Sequence, residues 1–143
     1  MKNGGSGNET AYLLDTSSVF ALIEGEAGAD RVEQLLRRHT VLLPFVVLLE
    51  VYYISLQEQG EEEANARYAM LKALDVVFLT EVTEPVLLRA AQMKASSRIS
   101  LADAIVAAFA TVHDAVLVHK DPEFDALKDR VRLEALPNKA KLR

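Results

Sequence analysis

The chain contains no cysteine. That excludes disulfide bridges, thiolate zinc sites and thiol catalysis, and it fits a reducing compartment. A long uncharged hydrophobic run is also missing. The longest apolar stretch, residues 41–56, spans 16 residues, carries Glu50 and is broken by Pro44. A membrane helix needs about 20 apolar residues, so no span is expected. The apolar stretch 11–23 carries Asp15 and is not followed by a small-residue cleavage pattern, so it does not read as a signal peptide. Positive charge is scarce: 16 Lys and Arg stand against 21 Asp and Glu, for a net charge of −5 and a pI near 5.2. That balance does not fit a protein held to nucleic acid by bulk charge, and it leaves room only for a local basic patch. The three histidines, His39, His113 and His119, are scattered, which disfavours zinc. There is no internal repeat and no low-complexity segment. A soluble cytoplasmic protein is expected.

What remains is 143 residues, half of them hydrophobic, enough for one domain with a full core. Residues 1–10 read as a flexible leader, 11–136 as the domain, and 137–143 as a basic tail. Apolar runs at 11–14, 41–43, 76–79 and 116–118 read as buried strands, with a short fifth at 131–136. Between them the apolar spacing predicts helices over 18–23, 29–38, 45–59, 61–74, 84–95 and 101–113. A Ser or Thr is expected to cap the first. Pro44 suits the first turn of the third, Gly60 stops it, and three Glu complement the dipole of the fourth. Strands that are uniformly apolar and alternate with helices imply an α/β sandwich around a parallel sheet buried on both faces. Positive charge gathers late in the chain, where Lys128, Arg130, Arg132, Lys139, Lys141 and Arg143 face only Asp129 and Glu134.

Carboxylates stand where the pattern says core. Asp15 directly follows an apolar strand, and ligands of open α/β sheets bind beyond the carboxyl ends of strands. It reads equally well as a helix cap or a turn residue. Glu50 has Val46, Val47, Tyr53 and Ile54 as its helical neighbours, so it projects from an apolar face. An ionised carboxylate there needs a cation or donors to meet it; a head group reaching the core's edge, or a partner Arg, would also serve. Asp103 lies in SLADAIVAAFA, where Ser100-x-x-Asp103 matches a capping box. Asp121 ends the fourth strand before Pro122, as a turn-forming Asp also would, and Glu123 and Asp125 stand close enough to replace or assist it. Four acids converging on one cleft would repel each other strongly, and a divalent cation resolves that repulsion. Mg²⁺ and Mn²⁺ prefer oxygen ligands, and an oxygen-only pocket suits phosphoryl chemistry.

These segments together resemble the PIN-domain nucleases, and within them the VapC-type toxins of toxin–antitoxin pairs. LLDTSSVFALI is similar to the family's first motif, LPFVVLLEVYYI to the second, SLADAIVAAFA to the third and LVHKDPEF to the fourth. The spacings fit as well: 35 residues from Asp15 to Glu50, 53 on to Asp103 and 18 on to Asp121. The resemblance covers residues 11 to 136. It implies a PIN-like three-layer α/β/α sandwich around a parallel sheet of four to five strands. It implies a metal-dependent endoribonuclease that cuts single-stranded RNA to leave a 5′-phosphate and a 3′-hydroxyl. Asp15, Glu50, Asp103 and Asp121 would hold Mg²⁺ or Mn²⁺, with the hydroxyls of Thr16 and Ser17 ordering the site. It further implies a homodimer and a VapB-type antitoxin partner whose C-terminal segment covers the groove. RNA backbone contacts would fall to Lys94, Arg98, Lys120 and the basic C-terminal residues. The fourth motif commonly opens with Thr; here His119 stands there, which leaves Glu123 as an alternative to Asp121. A housekeeping PIN ribonuclease and an inactive PIN-type binding module remain the alternatives. A phospho-receiver does not fit, because a single Asp15 ends the first strand where paired acids would be needed. A DxD phosphatase fails likewise, since residue 17 is Ser.

Overall fold

The computed structural model describes residues 9–138. The sequence at 1–8, and with it most of the expected leader, lies outside the described residues, as do Lys139, Lys141 and Arg143 of the expected tail. The element order is β1 (Ala11–Leu14), α1 (Thr16–Glu24), α2 (Ala29–Arg38), β2 (Thr40–Pro44), α3 (Phe45–Gln59), α4 (Glu61–Lys72), β3 (Val77–Leu79), α5 (Glu84–Ser96), α6 (Leu101–Val112), β4 (Ala115–His119) and β5 (Leu133–Ala135). A 3₁₀ segment, Pro122–Leu127, joins the last two strands.

All five strands are parallel, in the order β3-β2-β1-β4-β5. Consecutive Leu13 and Leu14 point to opposite faces of β1, and neither is exposed. Both faces of the sheet are therefore covered by helices, giving the three-layer α/β/α sandwich. On the helical side α1 packs on α2 and α3, α3 on α4, and α5 on α6. Phe109, Phe124, Leu43, Leu71, Met93 and Leu117 are among the largest side chains fully removed from water.

The strand order decides where function sits. From β1 the chain moves outward through β2 to β3, then returns to place β4 on the other side of β1. Between β1 and β4 the order reverses, and such a switch point opens a crevice at the carboxyl edge of the sheet. The register sets Leu14 opposite Val118, so the residues after β1 and after β4 flank that crevice.

Local details depart from the sequence pattern for identifiable reasons. Asp15 itself caps α1, accepting from the Ser18 N–H, so the helix begins at Thr16 and no Ser or Thr takes that role. Pro44 ends β2 with extended backbone and precedes α3 instead of entering its first turn. The turn expected at Asp121-Pro122 tightens into the 3₁₀ segment, because Phe124 and Leu127 both reach the core. Arg67 of α4, its side chain 10% exposed, donates to the buried Ser55 hydroxyl of α3, pairs with Glu24 and Glu63, and lies over the Phe20 ring. One cation thus ties α1, α3 and α4 together.

Two glycines after α1 separate two kinds of backbone demand. Gly25 has φ 64 with open space around its α-carbon, whereas Gly28 has φ 100 and a β-carbon there would meet Leu136 at 3.0 Å. Gly25→Ala is expected to lose about 1 kcal/mol for the left-handed backbone alone. Gly28→Ala adds overpacking, and a loss of about 2–3 kcal/mol is expected. Urea unfolding of the two variants measures the difference; equal losses would show that Leu136 does not constrain residue 28.

Candidate metal centre

Asp15 is the first residue past β1 and is 3% exposed. Its amide donates to Val118 O at 3.2 Å, continuing the ladder with β4. Its carboxylate accepts from Ser18 N at 2.8 Å and from the Ser17 hydroxyl at 2.8 and 2.9 Å. Burial pushes its pKa up to about 6; the Ser18 N–H and the Ser17 and Ser18 hydroxyls act against that rise, and Asp121 adds to it. The three hydroxyls after Asp15 take three different partners. Thr16 donates to Glu50 Oε1 at 2.6 Å, across to α3. Ser17 also accepts from the Lys120 N–H at 2.9 Å, clipping β1 to the turn after β4. Ser18 donates to Val118 O at 2.6 Å.

Glu50 is half-buried on α3. Val46 and Val47, one turn earlier, are buried, but Tyr53 on the following turn is 42% exposed, so Glu50 stands at the border of the apolar face. Among the described residues it forms no ion pair with an Arg; the Thr16 hydroxyl meets it instead.

Asp103 sits in the first turn of α6, its N–H donating to the Ser100 hydroxyl at 3.0 Å, as the capping box predicts. The cap leaves its carboxylate among other acids. Its pKa is pushed up to about 7, first by burial, then by the charges of Asp121, Asp15 and Glu50, with Ser100 opposing. The other three expected acids are therefore all within electrostatic reach of Asp103.

Asp121 caps the 3₁₀ segment, accepting from Glu123 N at 2.9 Å. Asp103, Asp121 and Glu123 each offer a carboxylate oxygen, and these oxygens lie within 4.8 Å of one another. It is the one cluster of this kind among the described residues. Asp121 and Glu123 thus both stand beside Asp103. Asp15 and Glu50 lie outside that group; Asp15 accepts from Ser17 and Ser18, and Glu50 Oε1 accepts from Thr16. His119 is 2% exposed and packs on Phe124 with ring centroids 5.2 Å apart. Burial pushes its pKa down, which favours the neutral ring. Its Nδ1 is sealed without a hydrogen-bond partner.

Of the cations expected to face a substrate, two are occupied elsewhere. The Lys120 ammonium binds Ala27 O at 2.9 Å and lies 3.6 Å from Glu26; that of Lys94 binds Ile99 O at 2.8 Å. Arg98 is exposed and has no hydrogen bond or ion pair among the described residues. Arg130, from the basic C-terminal set, donates to Ser96 and Ser97 beside it.

The donor set fits a hard divalent ion. Three carboxylate oxygens converge, the charges of two further carboxylates reach Asp103, and among the described residues neither imidazole nor thiolate joins the group. Burial and, after it, the neighbouring carboxylates together raise the Asp103 pKa, and a cation at the cluster would oppose both effects.

The sequence model of the family described as PIN domain matches residues 12–130. No curated protein matches the chain. Among solved structures it is similar to VapBC2 of Rickettsia felis, bound to a DNA fragment from their promoter, with 16% identity, a TM-score of 0.75, and 90% of this chain and 100% of that one covered. It is also similar to the toxin VapC20 of Mycobacterium tuberculosis, described as cleaving the sarcin–ricin loop, with 21% identity, a TM-score of 0.70, and coverage of 88% and 99%. FitAcB of Neisseria gonorrhoeae gives 21% identity, a TM-score of 0.65, and coverage of 85% and 95%. At such identities these likenesses show a shared fold.

The acids make the metal-free protein sensitive to pH. Asp15 and Asp103 have folded-state pKa values of about 6 and about 7, both above the ordinary 3.8. Between roughly pH 4 and 7 the folded state thus holds protons that the unfolded chain has released, and stability falls as pH rises through that window. Without metal, Asp103→Asn is expected to raise Tm by several degrees at pH 8 and by clearly less at pH 5. Thermal melts in EDTA at the two pH values check this; an equal shift at both would show that charge repulsion at residue 103 is not its source.

Proposed function

The chain belongs to the PIN domain family, and from that premise we propose that it is a metal-dependent endoribonuclease cutting single-stranded RNA, the toxin of a VapBC-type pair. The convergence of Asp103, Asp121 and Glu123 oxygens within 4.8 Å carries the reading. Asp15 and Glu50, near enough to raise the Asp103 pKa, complete the acidic set.

In this reading Asp103, Asp121 and Glu123 hold Mg²⁺ or Mn²⁺, with Asp15 and Glu50 as further ligands or as partners that fix its position. A divalent ion held by these residues would supply charge neutralisation at a phosphate and a more nucleophilic water at neutral pH. The chain's own groups supply the geometry. Ser17 and Ser18 fix the Asp15 carboxylate, so it cannot rotate away when a cation arrives. Thr16 donates to Glu50 Oε1 and leaves Oε2 available to a ligand. The Ser17–Lys120 bond holds the turn carrying Asp121 and Glu123 against the start of α1. Such supporting contacts set ligand position and metal affinity.

Partners follow from the same reading. Large apolar side chains are exposed on α3 (Leu49 55%) and α5 (Leu87 54%, Leu88 53%), and at Leu101 (62%). Exposed apolar side chains of this size are compatible with protein contacts, as a homodimer and an antitoxin would make. No helix among the described residues is long and apolar enough to cross a membrane, consistent with a place in the cytoplasm. A housekeeping ribonuclease would use the same centre; the retained carboxylates count against a binding module that has lost its chemistry.

Single-stranded RNA incubated with Mn²⁺ or Mg²⁺ should be cut, and EDTA or Asp103→Asn should abolish cutting while the fold is retained. Cutting by Asp103→Asn at near the parental rate would sink the assignment of the centre. Thr16→Val leaves every carboxylate in place and should weaken Mn²⁺ binding about 10–100-fold, as loss of a supporting partner does. Calorimetric titration with Mn²⁺ reads this directly, and unchanged affinity would remove Thr16 and Glu50 from the ion's support.

A further inference from the structure

The 3₁₀ segment has two sides. Asp121 and Glu123 face the acidic cluster, while Pro122 and Asp125 line a separate cavity of about 240 Å³ at the carboxyl ends of β4 and β5. His119, Lys120, Leu136 and Asn138 complete most of its wall. We propose that this cavity receives one unstacked base of the RNA, next to the phosphate held at the acidic centre, and that it selects a base bearing an exocyclic amino group. The proposal rests on the ribonuclease reading.

Size is the first argument. The cavity is below the roughly 300–1,000 Å³ of pockets for drug-sized ligands, so it suits one ring system and not a dinucleotide cofactor. Distance is the second. From Asp121 to Asp125 is four residues of 3₁₀ helix, about 8 Å at a rise near 2 Å per residue. That is the scale of a single nucleotide, so a strand whose phosphate lies at the carboxylates has a base within reach of the cavity.

Charge and polarity supply the third. The Lys120 ammonium is already taken by Ala27 O and Glu26, so the cavity is not a cationic socket for phosphate. Asp125 forms no ion pair among the described residues, and its charge is felt at the His119 ring. An anion would meet Asp125 beside Asp121 and Glu123. A neutral, flat ligand with N–H donors meets an acceptor in Asp125 and both a donor and an acceptor in the Asn138 amide. Pro122 and Leu136 offer apolar contact to its faces. Adenine, cytosine and guanine present an amino group to such a wall. Uracil presents two carbonyl oxygens to the Asp125 carboxylate, and its single N–H lies between them. Sequence-specific RNA readers work in this way, on unstacked bases bonded at their edges. The cavity also borders His119, where the fourth motif departs from the pattern it resembles.

The test uses free nucleosides, which are uncharged and are not repelled by the acidic centre. Amide NMR of the full chain should show shifts at Lys120, Asp125, Leu136 and Asn138 on adding adenosine, cytidine or guanosine. Uridine should bind about tenfold more weakly, the worth of one good hydrogen-bonded pair at a base edge. Asp125 is exposed, so Asp125→Ala leaves the fold intact and should erase most of that tenfold difference; Asn138→Ala should reduce it. On a defined single-stranded RNA with Mn²⁺, Asp125→Ala should relax the base preference beside the cut without changing Mn²⁺ affinity. No shifts at these amides, equal shifts with uridine, or a preference untouched by Asp125→Ala would overturn the proposal. The two readings fail separately. RNA cut with a preference indifferent to Asp125 removes the cavity and keeps the nuclease; discriminating nucleoside shifts in a protein that cuts no RNA keep the cavity and remove the nuclease.

Discussion

Carboxylates brought together away from water repel, and the repulsion grows as hydration is lost. At the carboxyl edge of this sheet Asp103 feels Asp121, Asp15 and Glu50 in addition to its own burial, and its pKa rises to about 7. Much of the surrounding structure works against that tendency to spread apart. Asp15 is held by an N–H and a hydroxyl, Glu50 by Thr16, Asp121 by the Glu123 N–H, and Asp103 by the cap that Ser100 provides for its helix. Each contact is an ordinary cap or hydroxyl bond of the kind many helices carry. Their concentration on one edge is what distinguishes the site: the bonds to Asp15, Glu50 and Asp121 meet the carboxylates directly, and the Ser100 cap meets the backbone N–H of Asp103.

The strand order makes this arrangement possible. Only at the reversal between β1 and β4 do the ends of two adjacent strands open a crevice, and helices from both later connections, α3 and α6, reach it. The hydrogen bond from Ser17 to Asp15, together with that from the Lys120 N–H to Ser17, crosses the crevice at its narrow end. Sheet, caps and acids form one mechanical unit, in which moving β4 moves Asp121 and Glu123 with it.

The fold was legible in the sequence where the physics is local. Apolar spacing and Gly60 set both ends of α3, and the amphipathic pattern of α2 was complete within ten residues. The cap of α1 was misread because Asp15 could be a ligand, a cap or both, and residue type does not separate these; the structure makes it a cap whose oxygens still lie near the other acids. The site was legible as a set of acids out of place in apolar segments. Its internal wiring was not. The Thr16–Glu50 bond joins residues 34 apart and the Ser17–Lys120 bond residues 103 apart, and no periodicity encodes either. Whether Asp121 or Glu123 joins Asp103 could not be decided by spacing, because the 3₁₀ segment that presents both was read only as a turn.

The place of β4 in the sheet bears on how the molecule comes into being. β1 is made first, yet one of its two hydrogen-bonded neighbours is a strand that begins a hundred residues later. As a nascent chain leaves the ribosome, β1, β2 and β3 can pair in order, but the switch-point crevice has only one wall until residues 115–119 have emerged. Asp15 and Glu50 must wait for Asp103, Asp121 and Glu123. Half-made copies therefore do not bring these acids together, and the pairing of β4 with β1 is the step that does.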